Sequence, residues 1–244
     1  MTPLRTRLSR LAARHVACNW LPLNRGPGVV SLCFDDVPAS ACQAGAALLE
    51  AYAGRASFYV CGSLTDQPEQ GQLCHSLADL HSLAQRGHEI GCHTFSHTNC
   101  AQHEVAALAR DWQANQDFFQ QHGLRTGGFA FPFGAYDLGS KLAAARRFSY
   151  SRITGGGRHV GRADLAALRA QPLYAASTDT AVLAQLIADT ARDGGWLILY
   201  SHEVSNTPGP WGTTPEQLEL ALHLAQQSCC KILSVQQAID FFRA

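Results

Sequence analysis

The sequence predicts an α/β fold, a (β/α) barrel, from three observations. Short apolar runs alternate with segments of helical period from residue 29 to residue 242, the pattern of parallel strands joined by βαβ crossovers. No internal repeat and no long linker breaks that alternation, so one α/β domain accounts for it. Polar residues suited to chemistry fall just after strand runs: Asp35-Asp36, His93 with His97, Pro132-Phe133 and His202. Strand ends converge on one face of a barrel but are strung along the edge of an open sheet, which favours the barrel.

The elements follow in order. Residues 29–34 (VVSLCF) are a buried strand run, followed by an Ala-rich helix over 39–53. Residues 57–61 (SFYVC) form the second strand, 76–86 a helix and 88–91 a brief strand. The segment 101–122 has clear helical periodicity and is closed by Gly123 just past its end. Residues 128–131 enter a strand that Pro132 cuts off, and Asp137 caps a helix running toward 147. Residues 149–153 read as a strand, 179–192 as a helix, 196–200 (WLILY) as a strand and 215–227 as a helix. A strand over 231–233 and a helix over 235–242 complete the domain.

A chain of 244 residues buries roughly 70–75% of its unfolded surface and needs no disulfide staples. Hydrophobic residues at 46% against charged residues at 16% mark a globular chain. Nineteen basic and nineteen acidic residues leave no positive excess for nucleic acid. No apolar run approaches the ~20 residues of a membrane helix. The nine cysteines are odd in number, and Cys33, Cys61 and Cys92 sit inside apolar runs as small buried hydrophobes. Such usage suits a reducing, cytoplasmic location, with Cys229 and Cys230 packed at a helix–strand junction.

The first 27 residues read as a basic amphipathic segment ahead of the domain at 28–244. No acidic residue precedes Asp35. At helical period Leu4, Leu8 and Leu11 share one face, and Arg7, Arg10 and Arg14 a neighbouring one. Without an unbroken apolar stretch this is not a cleaved secretory signal. A short helix docked on the domain is the first reading, peripheral contact with anionic lipid the second, and a mitochondrial transit peptide the third.

Two clusters carry chemistry. Asp35 and Asp36 end the first strand, where adjacent carboxylates repel unless a cation or hydrogen-bond donors offset them; alternatively Asp36 caps the next helix and Asp35 is solvated. His93 and His97 stand four apart, which on a helical turn puts both imidazoles on one face to grip one metal ion. A closed site of Cys92, His93, His97 and Cys100 is disfavoured, because four ligands within nine residues strain the backbone. One carboxylate with two histidines leaves coordination positions open for water, as a catalytic site requires, and frees the second carboxylate as a base.

With these residues in view, the chain resembles the polysaccharide deacetylase family, the NodB-homology metal hydrolases of carbohydrate esterase family 4. The matching stretches are FDD at 34–36, RASFYVCG at 55–62, RGHEIGCHTFSH at 86–97, FAFPFGAYD at 129–137 and LILYSHEV at 197–204. The resemblance implies a distorted (β/α) barrel and one divalent metal ion, zinc before cobalt or nickel, on Asp36, His93 and His97. It implies Asp35 as catalytic base, His202 as general acid and the Phe133 backbone N–H as an oxyanion donor. The implied activity removes an N-acetyl group from a carbohydrate. Without a signal peptide, a precursor of cell-surface polysaccharide assembly, in a free or lipid-linked form, is the expected substrate. Trp211, on the loop over 206–215, together with Arg158 and Tyr136, is expected to contact it. Hydrolysis of a sugar formamide or of another amide is the alternative activity, and a catalytically inactive glycan-binding module is the alternative from another class.

Three departures stand out. The family's third motif carries an arginine where this chain has Ala130, and its fourth, Asp-containing motif has no counterpart between Arg152 and Pro172. Arg158 or Arg162 is the expected substitute for the missing arginine. Val37-Pro38 replaces the usual glycine after the aspartate pair.

Overall fold

A computed structural model describes residues 15–23 and 26–244 together with Ser9 and Ala13; the leucine and arginine faces expected over 4–14 lie outside the described residues. Trp20–Pro22 form β1, and the apolar run Val29–Asp35 forms β2. The next helix begins as a π turn over Ala41–Gly45 before becoming α1 (Ala46–Ala51). β3 (Ser57–Val60) leads to a small hairpin, β4 (Pro68–Glu69) and β5 (Gln72–Leu73), then to α2 (Leu77–Gln85) and β6 (Glu89–Cys92). α3 (Val105–Gln121), β7 (Gly128–Ala130), α4 (Leu138–Arg147) and β8 (Tyr150–Thr154) follow. A stretch without helix carries β9 (Arg162–Asp164) and leads into β10 (Leu168–Pro172). α5 (Thr180–Asp193), β11 (Trp196–Ser201), α6 (Pro215–Gln227), β12 (Lys231–Ile232) and α7 (Val235–Arg243) complete the chain.

Seven strands close a parallel barrel in the order β2-β3-β6-β7-β8-β10-β11, with β11 pairing back onto β2. The barrel is distorted in two ways. The β8–β10 crossover has no helix, and β12 occupies the first part of an edge of β2, pairing with Val29 and Val30 before β3 takes over at Cys33.

Side-chain alternation sorts the strands into an outer layer and an interior. Val30, Leu32 and Phe34 of β2 pack in the cluster that includes the surrounding helices, as do Leu197 and Leu199 of β11. Val29 and Cys33, with Trp196, Ile198 and Tyr200, belong to the second cluster, which fills the barrel. Tyr59 and Tyr150 meet there, hydroxyl to hydroxyl at 2.8 Å, and Tyr150 donates to Glu89 at 2.6 Å. These rings fit because the neighbouring strands carry glycine: a Cβ on Gly128 would stand 2.1 Å from the Tyr150 ring, and one on Gly91 2.5 Å from the Tyr59 ring. The first turn of α7 closes this end, with Gln236 N–H donating to Glu89 and Val235 N–H to Ser57, both at 2.9 Å.

Asp137 caps α4 as its sequence position predicts, in a reciprocal capping box with Ser140. β1 pairs antiparallel with β9, which places Trp20–Pro22 against the domain. Fully buried Lys141 binds that region together, donating to the carbonyls of Ala13 at 2.8 Å and Val16 at 3.2 Å and to Asp164 at 2.7 Å. All nine cysteines are free thiols, most of them buried; Cys230 is buried at the helix–strand junction and Cys229 is exposed. Among the described residues no helix is long and apolar enough to cross a membrane.

Candidate active site

Alternation along β2 points Asp35 into the barrel, in phase with Cys33, and would send Asp36 the other way. The backbone instead turns sharply: Asp36 (φ 58°) and Val37 (φ 55°) are both left-handed. Non-glycine residues held there cost roughly 1–3 kcal/mol each and cluster at functional sites. Both carboxylates consequently line one cavity of about 390 Å³, together with His93, His97, Tyr200 and His202.

His93 directly follows β6, but the segment from His93 to His97 is a loop and not the expected helical turn. Thr94 (φ 64°) and His97 (φ 51°) curl it through left-handed conformations. Asp111 of α3 clamps the curl, accepting from the Phe95 N–H at 2.6 Å and the Thr98 hydroxyl at 3.3 Å. His97 Nε2 lies 3.3 Å and His93 Nε2 3.8 Å from Asp36 Oδ1. The three ligand atoms lie within 4.8 Å of one another.

This trio fits a divalent cation on the chemistry of its donors. His93 Nδ1 donates to the Ala130 carbonyl at 2.8 Å, which leaves the Nε2 lone pair facing Asp36. Burial pushes His93 down to about 3 and lowers His97 as well, so both imidazoles are neutral at physiological pH and free to accept a cation. Burial also drives Asp36 up to about 7, and the negative charges of Asp35 and Glu69 add to the rise. A carboxylate so disfavoured in its charged form is one that a bound cation would relieve. Glu69 of β4 lies 3.7 Å from His97 Nδ1, on the side away from Asp36.

The closed cysteine site is not formed. Cys92 accepts a contact from the Asn115 amide at 3.1 Å, Cys100 turns to the Thr98 carbonyl, and burial raises both thiols, Cys92 to about 12.

Asp35 is held differently from its neighbour. Arg152 of β8 donates to both its oxygens at 2.5 Å. Burial alone would raise the Asp35 carboxyl; Arg152, helped by His93 and His202, overrides burial and holds it below the ordinary carboxylate range. The guanidinium is itself fully buried, 5.3 Å from the centre of the Tyr59 ring and 4.9 Å from that of Tyr200. Neither Arg158 nor Arg162 takes the place of the missing arginine. Arg158 is bound to Asp193 at 2.6 Å and donates to the Asp189 carbonyl, so it is also withdrawn from the substrate-contacting role expected of it. Arg162 lies over the Trp20 ring at 4.1 Å.

Sequence reading missed Arg152, although one signal was present. It is two residues from Tyr150 on the same strand and therefore shares the inward face, where a charge has to be paired.

His202 follows β11, with Nε2 3.7 Å from Asp36 Oδ2. Its Nδ1 donates to the Trp211 carbonyl at 3.1 Å, so a backbone oxygen orients the ring. Trp211 lines the catalytic cavity and meets Tyr174 edge-on at 5.6 Å. Phe133 is left-handed (φ 59°), and its ring, 62% exposed, lies 4.5 Å from that of His97. Tyr136 is buried against Phe131 and lines a neighbouring cavity instead of the catalytic one.

Comparison with known proteins agrees with this architecture. A family model described as polysaccharide deacetylase matches residues 23–152, which is 130 of the 244 residues. No curated protein matches the chain. Among solved structures, the chitin deacetylase of the fungal pathogen Colletotrichum lindemuthianum superposes with a TM-score of 0.64 at 14% identity, covering 89% of each chain. A CE4 family pseudoenzyme from Bacillus anthracis gives 0.64 at 13% identity, over 89% of this chain and 67% of its own. The peptidoglycan deacetylase PdaC of Bacillus subtilis gives 0.57 at 17% identity, over 90% of this chain and 93% of its own. Identities this low establish a shared fold. With the family model spanning more than half of the sequence, the chain belongs to the polysaccharide deacetylase family.

Proposed function

We propose that this protein is a metal-dependent hydrolase that removes the N-acetyl group of a carbohydrate, a precursor of cell-surface polysaccharide. The observation that carries the reading is the meeting, in one cavity, of the Asp36–His93–His97 trio with Asp35 and His202. Asp36, His93 and His97 would hold a divalent transition ion, zinc before cobalt or nickel. When bound, such an ion acidifies a water and polarises the acyl carbonyl.

Asp35, kept ionised by Arg152, accepts the proton of the attacking water. The Phe133 N–H supports the negative charge that develops on the acyl oxygen, a contact worth about 3–4 kcal/mol where single donors have been removed from other enzymes. His202 Nε2 protonates the amine as it leaves, and the Trp211 carbonyl fixes the tautomer and ring plane that this requires. Trp211 lies at the cavity rim, where its indole can cover a sugar ring.

A binding module without catalysis, the alternative from another class, is disfavoured by Arg152. An inert module gains nothing from a buried arginine that keeps one carboxylate charged at the cavity floor. The test is acetate release from N-acetylglucosamine and its oligomers by the zinc-loaded protein. Release abolished by a chelator and by His202→Ala supports the reading. Formate from a formamido sugar, with no acetate from any N-acetyl sugar, would replace it by the deformylase alternative.

A further inference from the structure

Beside the catalytic cavity lies a second one of about 530 Å³, and Gly134 and Thr154 line both. These two residues form the sill between them. Gly134 (φ 59°) packs so closely that a Cβ there would stand 2.1 Å from Thr154 Oγ1. The far wall of the second cavity carries Trp20, Arg162 and Arg169.

The charges of this cavity do not cancel. Arg162 and Arg169 are both exposed, and neither forms an ion pair with a carboxylate among the described residues. Among the described residues the Arg169 guanidinium donates only to the Arg158 carbonyl, at 3.2 Å, and Arg162 lies over the Trp20 ring. The acidic residue in the wall, Asp164, is already satisfied from behind: Lys141 reaches one oxygen at 2.7 Å, while the N–H groups of Asn19 and Ala166 reach the other at 2.8 and 3.0 Å. The contrast with Arg158, neutralised by Asp193 nearby, is direct. A lone exposed arginine is ordinary solvated surface. Two of them with a tryptophan that is 47% exposed, converging on a concavity contiguous with the reaction site, are not.

We infer that the Trp20–Arg162–Arg169 cavity is a subsite for an anionic group carried by the substrate, so that the sugar deacylated in the catalytic cavity bears a phosphoryl or carboxylate group reaching over the Gly134–Thr154 sill. Guanidinium forks bind either oxyanion in bidentate fashion. This inference rests on the proposed hydrolase reading for the place of the sugar, but its test is one of binding and stands apart from turnover.

The experiment is calorimetric titration of the full, zinc-loaded chain with three probes: neutral N-acetylglucosamine, N-acetylglucosamine 1-phosphate and N-acetylglucosaminuronic acid. At least one charged probe should bind about tenfold tighter than the neutral one, and whichever does so identifies the anion as phosphoryl or carboxylate. The double substitution Arg162→Gln/Arg169→Gln should erase that preference and leave acetate release from the neutral sugar unchanged. In Asp36→Ala the preference should persist while hydrolysis is lost, so the two readings fail separately. Equal binding of charged and neutral probes, no binding of any of them, or a preference that survives the double substitution would each overturn the inference.

Discussion

Ala130 on β7 and Arg152 on β8 are register partners in the barrel ladder, and the guanidinium that binds Asp35 comes from Arg152. The resembling family carries this arginine at the position of Ala130. Both residues face the barrel interior, so moving the arginine one strand sideways leaves its charge beside the same carboxylate. On this geometry Arg152 can supply from β8 the charge that an arginine at Ala130 would supply from β7, a relocation across one register pair.

Removing Arg152 therefore strands a buried carboxylate. Arg152→Ala should destabilise the protein by about 3–5 kcal/mol in denaturant unfolding, because an unpaired buried charge remains. Arg152→Gln, which is less disruptive, should shift the acid limb of the pH–rate profile upward, since burial then meets only the opposition of His93 and His202. Adding Ala130→Arg to Arg152→Ala should recover both stability and turnover relative to the single variant. Failure of that double variant to exceed Arg152→Ala would refute the relocation.

Glu69 and His97 make a second prediction. Glu69→Gln removes the carboxylate beside His97 Nδ1, and such supporting partners typically contribute 10–100-fold to metal affinity. Competition with a zinc chelator should show a loss in that range, with the protein still folded. Unchanged affinity would mean that Glu69 plays no part in orienting His97.

Acid sensitivity follows from His159. Its ring is buried, shares Nε2 with the Arg169 backbone, and burial lowers it to about 4. Between pH 6.5 and about 4 the unfolded chain binds a proton at this position that the folded chain refuses, so stability falls as pH falls, by roughly 3 kcal/mol across the window. His75 and His88 are lowered in the same direction by burial and add to the slope. His159→Gln should flatten the pH dependence of unfolding by one residue's share; an unchanged slope would contradict it.

The arginine-rich start of the chain invites a separate test. Residues 13–16 should be kept, because the Ala13 and Val16 carbonyls accept from buried Lys141. Deleting residues 1–12 should reduce co-sedimentation with vesicles of anionic phospholipid. Equal sedimentation of the two forms would remove membrane contact from the account.

Asp35, Asp36, His93 and His97 were legible in the sequence because polar residues at the ends of apolar runs break the pattern of a buried strand. The barrel was legible for the same reason, since those breaks recur at successive strand ends. The loop from His93 to His97 was not: its left-handed turns fall on Thr94 and His97, which carry no glycine or asparagine signal, and α3 holds them through Asp111. β4, β5 and β9 have two or three residues each, too short for any periodicity to register. β10 was hidden because it follows the Gly155–Gly157 stretch and alternates buried Leu168 and Ala170 with exposed Arg169. Arg152 lies inside the strand read over 149–153, and finding it required strand parity to be followed from Tyr150 to a charge on the inward face.

The most direct test is the metal content of the purified, dialysed chain beside that of Asp36→Ala. About one zinc-like ion per chain is expected, lost in the variant. No specific metal after reconstitution with zinc, cobalt or nickel, or an ion retained in Asp36→Ala but lost in Cys100→Ser, would contradict it.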